Sequence, residues 1–116
     1  MKSLGRHVIV ELWGCQNIDS ESLVEEALRE AVDACQVTMR DLQVFPWEPY
    51  NGVSGIAILA ESHLSIHTWP ELGYAAVDIF TCGEQARPEA AVPVLQRYFV
   101  PQRLNVMQVD RGIILD

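Results

Sequence analysis

Lysine is almost absent from the sequence, since Lys2 is the only one among 116 residues. Enzymes that use pyridoxal phosphate hold the cofactor as a Schiff base on a buried lysine. A lysine at the extreme N-terminus is poorly suited to that role. Chemistry that depends on a buried Schiff-base lysine is therefore disfavoured.

Positive charge as a whole is scarce. Eight Lys and Arg stand against 16 Asp and Glu, which gives a formal net charge of -8 at pH 7. Nucleic-acid binding needs clustered basic residues, so we expect no nucleic-acid partner and regard a small molecule as the better candidate. Much of the acid is predicted to lie on the solvent-facing side of one helix, so solubility is the simpler explanation of the net charge.

Cysteine and long apolar runs are also limited. Three cysteines without a C-x-x-C motif favour neither a disulfide framework nor a zinc ribbon, and they suit a reducing compartment. No apolar run approaches the roughly 20 residues of a membrane span, and MKSLGRHVIVEL has no signal-peptide core. We expect a cytoplasmic protein without a membrane partner, folded as a single domain over residues 1–116.

Apolar periodicity predicts the element order β-α-β-β-β-β-α-β. Strands are expected at 7–13, 36–44, 55–60, 64–68, 74–81 and 103–109. One helix is expected to begin between Asp19 and Ser22, with capping-box spacing from Ser22 to Glu25, and the other runs from Pro88 towards Phe99. The segment 46–51 contains two prolines and is predicted to be a loop.

Short connections between these strands imply antiparallel neighbours. Helices covering one face of such a sheet give an α/β two-layer sandwich of the α+β type, with a mainly antiparallel sheet. The other face then needs cover from a second subunit. We therefore expect a homodimer.

The stretch LAESHLSIHTWPE (59–71) places proton-transferring side chains in a predicted strand. His63 and His67 are four residues apart, which is about 13 Å along a strand and too far for a shared metal ion with Cys82 as third ligand. A serine hydrolase is also disfavoured, because Ser62 lacks the G-x-S-x-G elbow. No metal site is expected.

A third chemistry directs the serine against its own backbone. At Glu61–Ser62 a strained turn would place the Ser62 hydroxyl on the Glu61 carbonyl, and the acyl group would shift from nitrogen to oxygen. A base near the Ser62 α-carbon would eliminate the ester, and hydrolysis of the enamine would leave a pyruvoyl group. That ketone forms a Schiff base with a substrate amine without any lysine, in agreement with the scarcity of lysine.

The residues around this serine resemble a known family. ESHLSIHTWPE, preceded by GVSG and followed by GYAAVDIFTCGE, looks like the prokaryotic S-adenosylmethionine decarboxylase family, and the N-terminal MKSLGRH is similar as well. The resemblance covers most of the chain and is densest over residues 52–84. It implies a pyruvoyl-dependent decarboxylase of polyamine biosynthesis, self-cleaved at Glu61–Ser62 into a β chain of residues 1–61 and an α chain of residues 62–116.

The same resemblance assigns roles to individual residues. It makes Ser62 the precursor of the pyruvoyl cofactor and His67 the base that completes processing. Ser54 supports processing by hydrogen bonding, and Cys82 donates a proton to the substrate after carbon dioxide leaves. A different class, an unprocessed pseudoenzyme that regulates an active relative, is opposed by the presence of these residues.

Substrate recognition is where the sequence departs from the family pattern. Members that bind S-adenosylmethionine carry an aromatic residue in a pattern like F-x-P-x-G before the GVSG serine, and this chain reads WEPYNG. Counting back without a gap from Ser54 puts Glu48 at the aromatic position, whereas one inserted residue restores Trp47. Glu71, implied to bind ribose, argues for the family substrate, and Trp69 of the same motif is also a predicted substrate-binding residue.

A carboxylate at Glu48 would pair with a cationic side chain. We therefore expect an amino-acid substrate, with L-ornithine or L-arginine preferred and S-adenosylmethionine as the alternative.

Overall fold

The computed structural model describes residues 2–115, which form six strands and two α-helices. Their order is β1 (Lys2–Trp13), α1 (Glu21–Ala34), β2 (Met39–Trp47), β3 (Gly52–Leu59), β4 (Ser62–Trp69), β5 (Tyr74–Cys82), α2 (Ala91–Phe99) and β6 (Arg103–Ile114). Single 3-10 turns at Pro70–Leu72 and Pro88–Ala90 precede β5 and α2. Within the described residues, no helix is long and apolar enough to cross a membrane.

All six strands belong to one antiparallel sheet with the order β2-β3-β4-β5-β1-β6. The hairpins β2-β3, β3-β4 and β4-β5 have short connections, whereas α1 and α2 lie in the longer connections that follow β1 and β5. The predicted α+β sandwich with an antiparallel sheet is confirmed.

Side chains alternate between the two faces of the sheet, and the helices cover only one of them. That face and the helices supply the core, whose largest fully buried side chains are Val8, Val10, Leu12, Val24, Leu28, Val53, Leu64, Ile66, Val77, Ile79, Leu95 and Phe99. The opposite face, which we call the open face, carries exposed apolar side chains that include Phe45, Ile56, Ile58, Met107 and Val109. One face is therefore packed and the other is available for contacts.

Helix α1 begins at Glu21, within the predicted interval from Asp19 to Ser22, but its cap is not the predicted Ser22. Ser20 is the N-cap residue, and its side chain accepts a hydrogen bond from the backbone N–H of Leu23. Ser22 lies inside the helix, so the predicted capping box is wrong. Serine is a favourable N-cap residue at either position, and the extended backbone at Ser20 makes Ser20 the cap, although only Ser22 has a glutamate three residues later.

Helix α2 tolerates Pro93 because this residue lies in the first turn, where backbone N–H groups have no partner within a helix. The 3-10 turn that starts at Pro88 forms the beginning of the predicted helix. The predicted end of the helix at Phe99 agrees with the structure.

Several predicted strand bounds need correction. The observed strands begin at Lys2 rather than 7, at Met39 rather than 36, at Gly52 rather than 55 and at Ser62 rather than 64. Strand β2 ends at Trp47 rather than 44, so Pro46 and Trp47 are strand residues and the loop that follows is shorter than predicted. Proline is acceptable here because β2 is at the edge of the sheet, where a missing N–H breaks no central ladder. Strand β6 continues to Ile114, well beyond the predicted end at 109, because it follows β1 along its whole length.

Stability should depend strongly on the contact between α1 and β3. Leu28 is 1 % exposed, and its Cδ1 lies 2.6 Å from the position that a Cβ at Gly55 would occupy. Leu28→Ala leaves a cavity there and should lower the free energy of unfolding by about 2–5 kcal/mol in urea titrations. Leu115→Ala is the matched control, since Leu115 is 75 % exposed. Equal losses in the two variants would contradict this view of the core.

Candidate active site

Ser54 and His67 form a hydrogen-bonded pair on the open face. They are direct partners in the register of β3 and β4, and the Ser54 Oγ lies 3.0 Å from the His67 Nδ1. This contact uses the Nδ1 nitrogen of the imidazole, so Nε2 remains available for proton exchange with another group. The sequence predicted both residues as site residues, and the antiparallel register brings them together.

A second group of candidate residues surrounds the turn between β3 and β4. The turn consists of Ala60 and Glu61, and Glu61 has a φ of 63°. This left-handed conformation favours glycine or asparagine, so a glutamate there stores strain of order 1–3 kcal/mol. The Cys82 thiol donates a hydrogen bond to the Glu61 carbonyl oxygen at 3.2 Å, and the Ser62 hydroxyl donates to the Ala60 carbonyl at 3.2 Å.

The two groups are far apart within one chain. Ser62 begins β4 and His67 lies five residues further along it, a separation of about 16 Å in an extended strand. Ser54 belongs with His67, and Cys82 belongs with the Glu61–Ser62 bond. The predicted catalytic residues therefore form two half-sites.

A groove of about 600 Å³ on the open face runs between these half-sites. Its lining comprises Phe45, Ser54, Gly55, Ile56, Ile58, Ser62, His63, Ser65 and His67. The sequence analysis did not predict Phe45, Ile56 or Ile58 as site residues. Strand alternation could have identified Ile56 and Ile58, because alternate residues of β3 after Ser54 point to the same face. Their apolar side chains give the groove a largely apolar wall.

Aromatic side chains continue this surface beyond His67. Trp69 stacks on Tyr74 at 5.3 Å between ring centroids, Tyr74 stacks on Trp13 at 4.3 Å, and Trp47 contacts Trp69 edge-on at 6.2 Å. A Cβ at Gly52 would lie 2.4 Å from the Trp47 ring, so the ring rests on this glycine. The predicted substrate residues Trp47 and Trp69 are thus neighbours at one end of the open face.

The predicted acidic substrate residues lie at more exposed positions. Glu48 is exposed in the turn after β2, and Glu71 is exposed in the 3-10 turn after Trp69. Neither forms a salt bridge among the described residues. An exposed carboxylate on a loop binds a cation weakly because water screens the interaction.

The other two thiols are outside both half-sites. Burial raises the pKa of Cys15 to about 11, and the backbone hydrogen bond at Ala75 opposes this shift only partly. Burial also raises the pKa of Cys35 to about 11, and its thiol donates to the Pro88 carbonyl at 3.7 Å. Both residues fit the role of core side chains.

The chain is similar to known proteins over its whole length. A family model described as S-adenosylmethionine decarboxylase matches residues 6–112. An S-adenosylmethionine decarboxylase proenzyme of Thermomicrobium roseum is 78% identical over 116 residues and covers 100% of both chains. A proenzyme of the same name from Methanococcus maripaludis is 49% identical, covering 98% of this chain and 94% of the relative. The crystal structure of the adenosylmethionine decarboxylase from Aquifex aeolicus matches with a TM-score of 0.91 and 33% identity, covering 100% of this chain and 97% of that one.

Thiol reactivity should distinguish Cys82 from the other cysteines. Because a pKa of about 11 leaves roughly one thousandth of the Cys15 and Cys35 thiols ionised at pH 8, both should react slowly with iodoacetamide. Their rates should rise about tenfold per pH unit until pH approaches 11. Peptide mapping by mass spectrometry should find label first at the half-buried Cys82. Equally fast labelling of Cys35 in folded protein would contradict its assignment to the core.

Proposed function

We propose that this chain, which belongs to the S-adenosylmethionine decarboxylase family, decarboxylates S-adenosylmethionine with a pyruvoyl group made from its own Ser62. Membership follows from the family match over residues 6–112. It confirms the predicted decarboxylase class and the predicted pyruvoyl cofactor. The relatives' names support the alternative substrate, S-adenosylmethionine, and nothing supports the preferred L-ornithine or L-arginine. The cytoplasmic location stays a prediction.

The turn at Glu61–Ser62 is the observation that carries the proposal. The Ser62 hydroxyl oxygen attacks the Glu61 carbonyl carbon, the carbon–nitrogen bond breaks, and the hydroxyl proton passes to the freed amine. The Cys82 thiol donates to the Glu61 carbonyl oxygen and stabilises the negative charge that develops there. Release of the left-handed conformation at Glu61 favours the shift.

Completion of cleavage needs a base at the Ser62 α-carbon. Loss of the α-proton expels the Glu61 carboxylate and leaves a carbon–carbon double bond. Water then replaces the nitrogen, ammonia leaves, and a ketone remains at the start of a chain of residues 62–116, while residues 1–61 form the other chain. His67 is the proposed base, and the hydrogen bond between its Nδ1 and the Ser54 Oγ holds the ring in place. With Nδ1–H as the donor, Nε2 carries the lone pair that accepts the proton.

His67 cannot reach Ser62 of its own chain, because about 16 Å of strand lies between them. We therefore propose that two copies pack through their open faces, so that His67 of the partner subunit acts at Ser62. A two-fold axis makes the arrangement reciprocal and completes both sites at once. The exposed apolar residues of the open face supply contact surface for this homodimer, which the sequence predicted on the ground of the uncovered sheet face.

Cys82 and Ser62 flank the same backbone bond, so the group formed at residue 62 stays beside the thiol. The pyruvoyl carbonyl supplies an electron sink for the electron pair that the departing carboxylate leaves behind. We assign to the Cys82 thiol the proton that the substrate α-carbon then takes up. In the proposed dimer the partner subunit covers the open face, and the apolar groove wall then limits the access of water to that carbon.

Trp47 and Glu71 support recognition of the nucleoside part of S-adenosylmethionine. Trp47 belongs to the surface that continues the groove beyond His67, and it satisfies the family pattern once one inserted residue is allowed. Glu71 follows Trp69 in the 3-10 turn, and its exposure leaves the carboxylate accessible to ribose hydroxyls. Glu48, by contrast, is exposed in the turn beyond the end of β2.

Carbon dioxide release should occur with S-adenosylmethionine and not with L-ornithine, L-arginine or L-lysine, each offered to the same purified protein. Trp47→Ala should raise the KM for S-adenosylmethionine about tenfold or more through loss of stacking. Glu48→Gln is the control and should leave the KM unchanged. If the protein instead releases carbon dioxide from L-ornithine or L-arginine, and Glu48→Gln lowers that release, the proposed substrate and the role of Trp47 would both be wrong.

Subunit complementation tests the processing mechanism. Ser62→Ala lacks the nucleophile and His67→Ala lacks the base, so each variant alone should stay one chain near 13.0 kDa. When both are produced together, mixed dimers pair an intact Ser62 with an intact His67, and the His67→Ala chain should be cleaved. Mass spectrometry identifies which chain is cut.

The outcomes are distinct. Cleavage of the Ser62→Ala variant on its own would overturn the mechanism. Absence of cleavage in confirmed mixed dimers would instead overturn the shared site and leave the nucleophile assignment intact. Cys82→Ala serves as a control, since it retains both groups and should still be cleaved, though more slowly.

A further inference from the structure

A fully buried hydroxyl lies directly behind the Ser54–His67 pair. Thr68 is 0% exposed, and its Oγ1 accepts a hydrogen bond from the backbone N–H of Val53 at 2.9 Å. The same hydroxyl donates to the backbone carbonyl of Ile18 at 2.8 Å. The hydroxyl both donates and accepts at a fully buried position, where hydrogen bonds are electrostatically stronger than in water.

The Thr68 hydroxyl lies at the end of the pairing between β3 and β4. Val53 precedes Ser54 on β3, and Thr68 follows His67 on β4. The register of β3 with β4 ends at the pair of Ser54 and His67. The Thr68 side chain therefore connects the two strands immediately beyond their last backbone pair, on the face opposite to the imidazole.

The third partner comes from another part of the chain. Ile18 is 3% exposed in the segment between β1 and α1, and its side chain belongs to the core. The Thr68 hydroxyl thus ties the ends of β3 and β4 to a segment that the core holds firmly. Movement of either strand end would strain one of these two hydrogen bonds.

We propose that Thr68 is a positioning residue for the Ser54–His67 pair, holding β3 and β4 so that His67 removes the proton efficiently during self-processing. The inference rests on the proposed function. Thr68 touches no reacting atom and acts through the backbone neighbours of Ser54 and His67. Small displacements of a catalytic base reduce rates strongly, so loss of the hydroxyl should slow cleavage about tenfold.

Thr81 offers a matched control within the same sheet. Thr81 is 1% exposed and lies next to Cys82, just as Thr68 lies next to His67. Its hydroxyl has no hydrogen-bond partner among residues 2–115. Threonine to valine at this position removes a buried hydroxyl without breaking a described hydrogen bond. Thr81→Val should therefore be cleaved at the rate of the unaltered chain.

The experiment follows cleavage of freshly synthesised chains over time by gel electrophoresis and mass spectrometry. Thr68→Val should be cleaved about tenfold more slowly than the unaltered chain, and Thr68→Ser, which keeps the hydroxyl, should recover most of the rate. Val32→Ala, a core change away from the pair, tests whether lower stability alone slows cleavage. Cleavage of Thr68→Val at the unaltered rate would overturn the proposal.

A double variant separates positioning from general loss of structure. In a Ser54→Ala background the pair is already broken, so adding Thr68→Val should reduce the rate by much less than tenfold. Fully multiplicative losses would overturn the proposal. If Thr68→Val shows no cooperative thermal unfolding, Thr68→Cys replaces it in both tests, because the thiol retains volume and hydrogen-bonds more weakly. Failure of the unaltered chain to cleave would contradict the proposed function instead.

Discussion

The antiparallel register of β3 with β4, whose strands are joined by the two-residue turn of Ala60 and Glu61, is the constraint on which the candidate site depends. This register opposes Ser54 to His67, and the pairing of β4 with β5 brings the turn beside Cys82. The left-handed Glu61 makes the turn strained, and the strain is located at the bond proposed to break. One backbone turn thus joins the paired strands and, in the proposed function, supplies the bond that is cleaved.

The one-sided packing of the sheet explains why polar side chains are tolerated in β4. Leu64, Ile66 and Thr68 point into the core, whereas the intervening His63, Ser65 and His67 line the groove on the open face. A strand between two packed layers would have to bury those polar groups at high cost. The two half-sites lie apart along β4, so the proposed dimer would both cover the open face and bring the half-sites of two chains together.

Much of the fold could be predicted because the periodicities of strands and helices are properties of local sequence. The errors occurred where tertiary position decides between local alternatives. Ser20 and Ser22 are both acceptable caps, and the edge position of β2 alone makes Pro46 acceptable within a strand. The preference for a basic amino-acid substrate rested on one loop carboxylate, and the structure exposes Glu48 in the turn after β2.

The element order and the family could be predicted from residue identities, and Ser62 could be singled out as the predicted nucleophile, because these inferences need only local patterns and long contiguous motifs. Tertiary structure decided which candidates meet. Ser54 joins His67 through pairing of distant residues, Cys82 joins the Glu61 carbonyl across 21 positions of the chain, and Thr68 reaches Ile18 across 50. It also placed Ser62 and His67 about 16 Å apart on one strand. Such distances follow from strand geometry and sheet order, which residue identities alone do not specify.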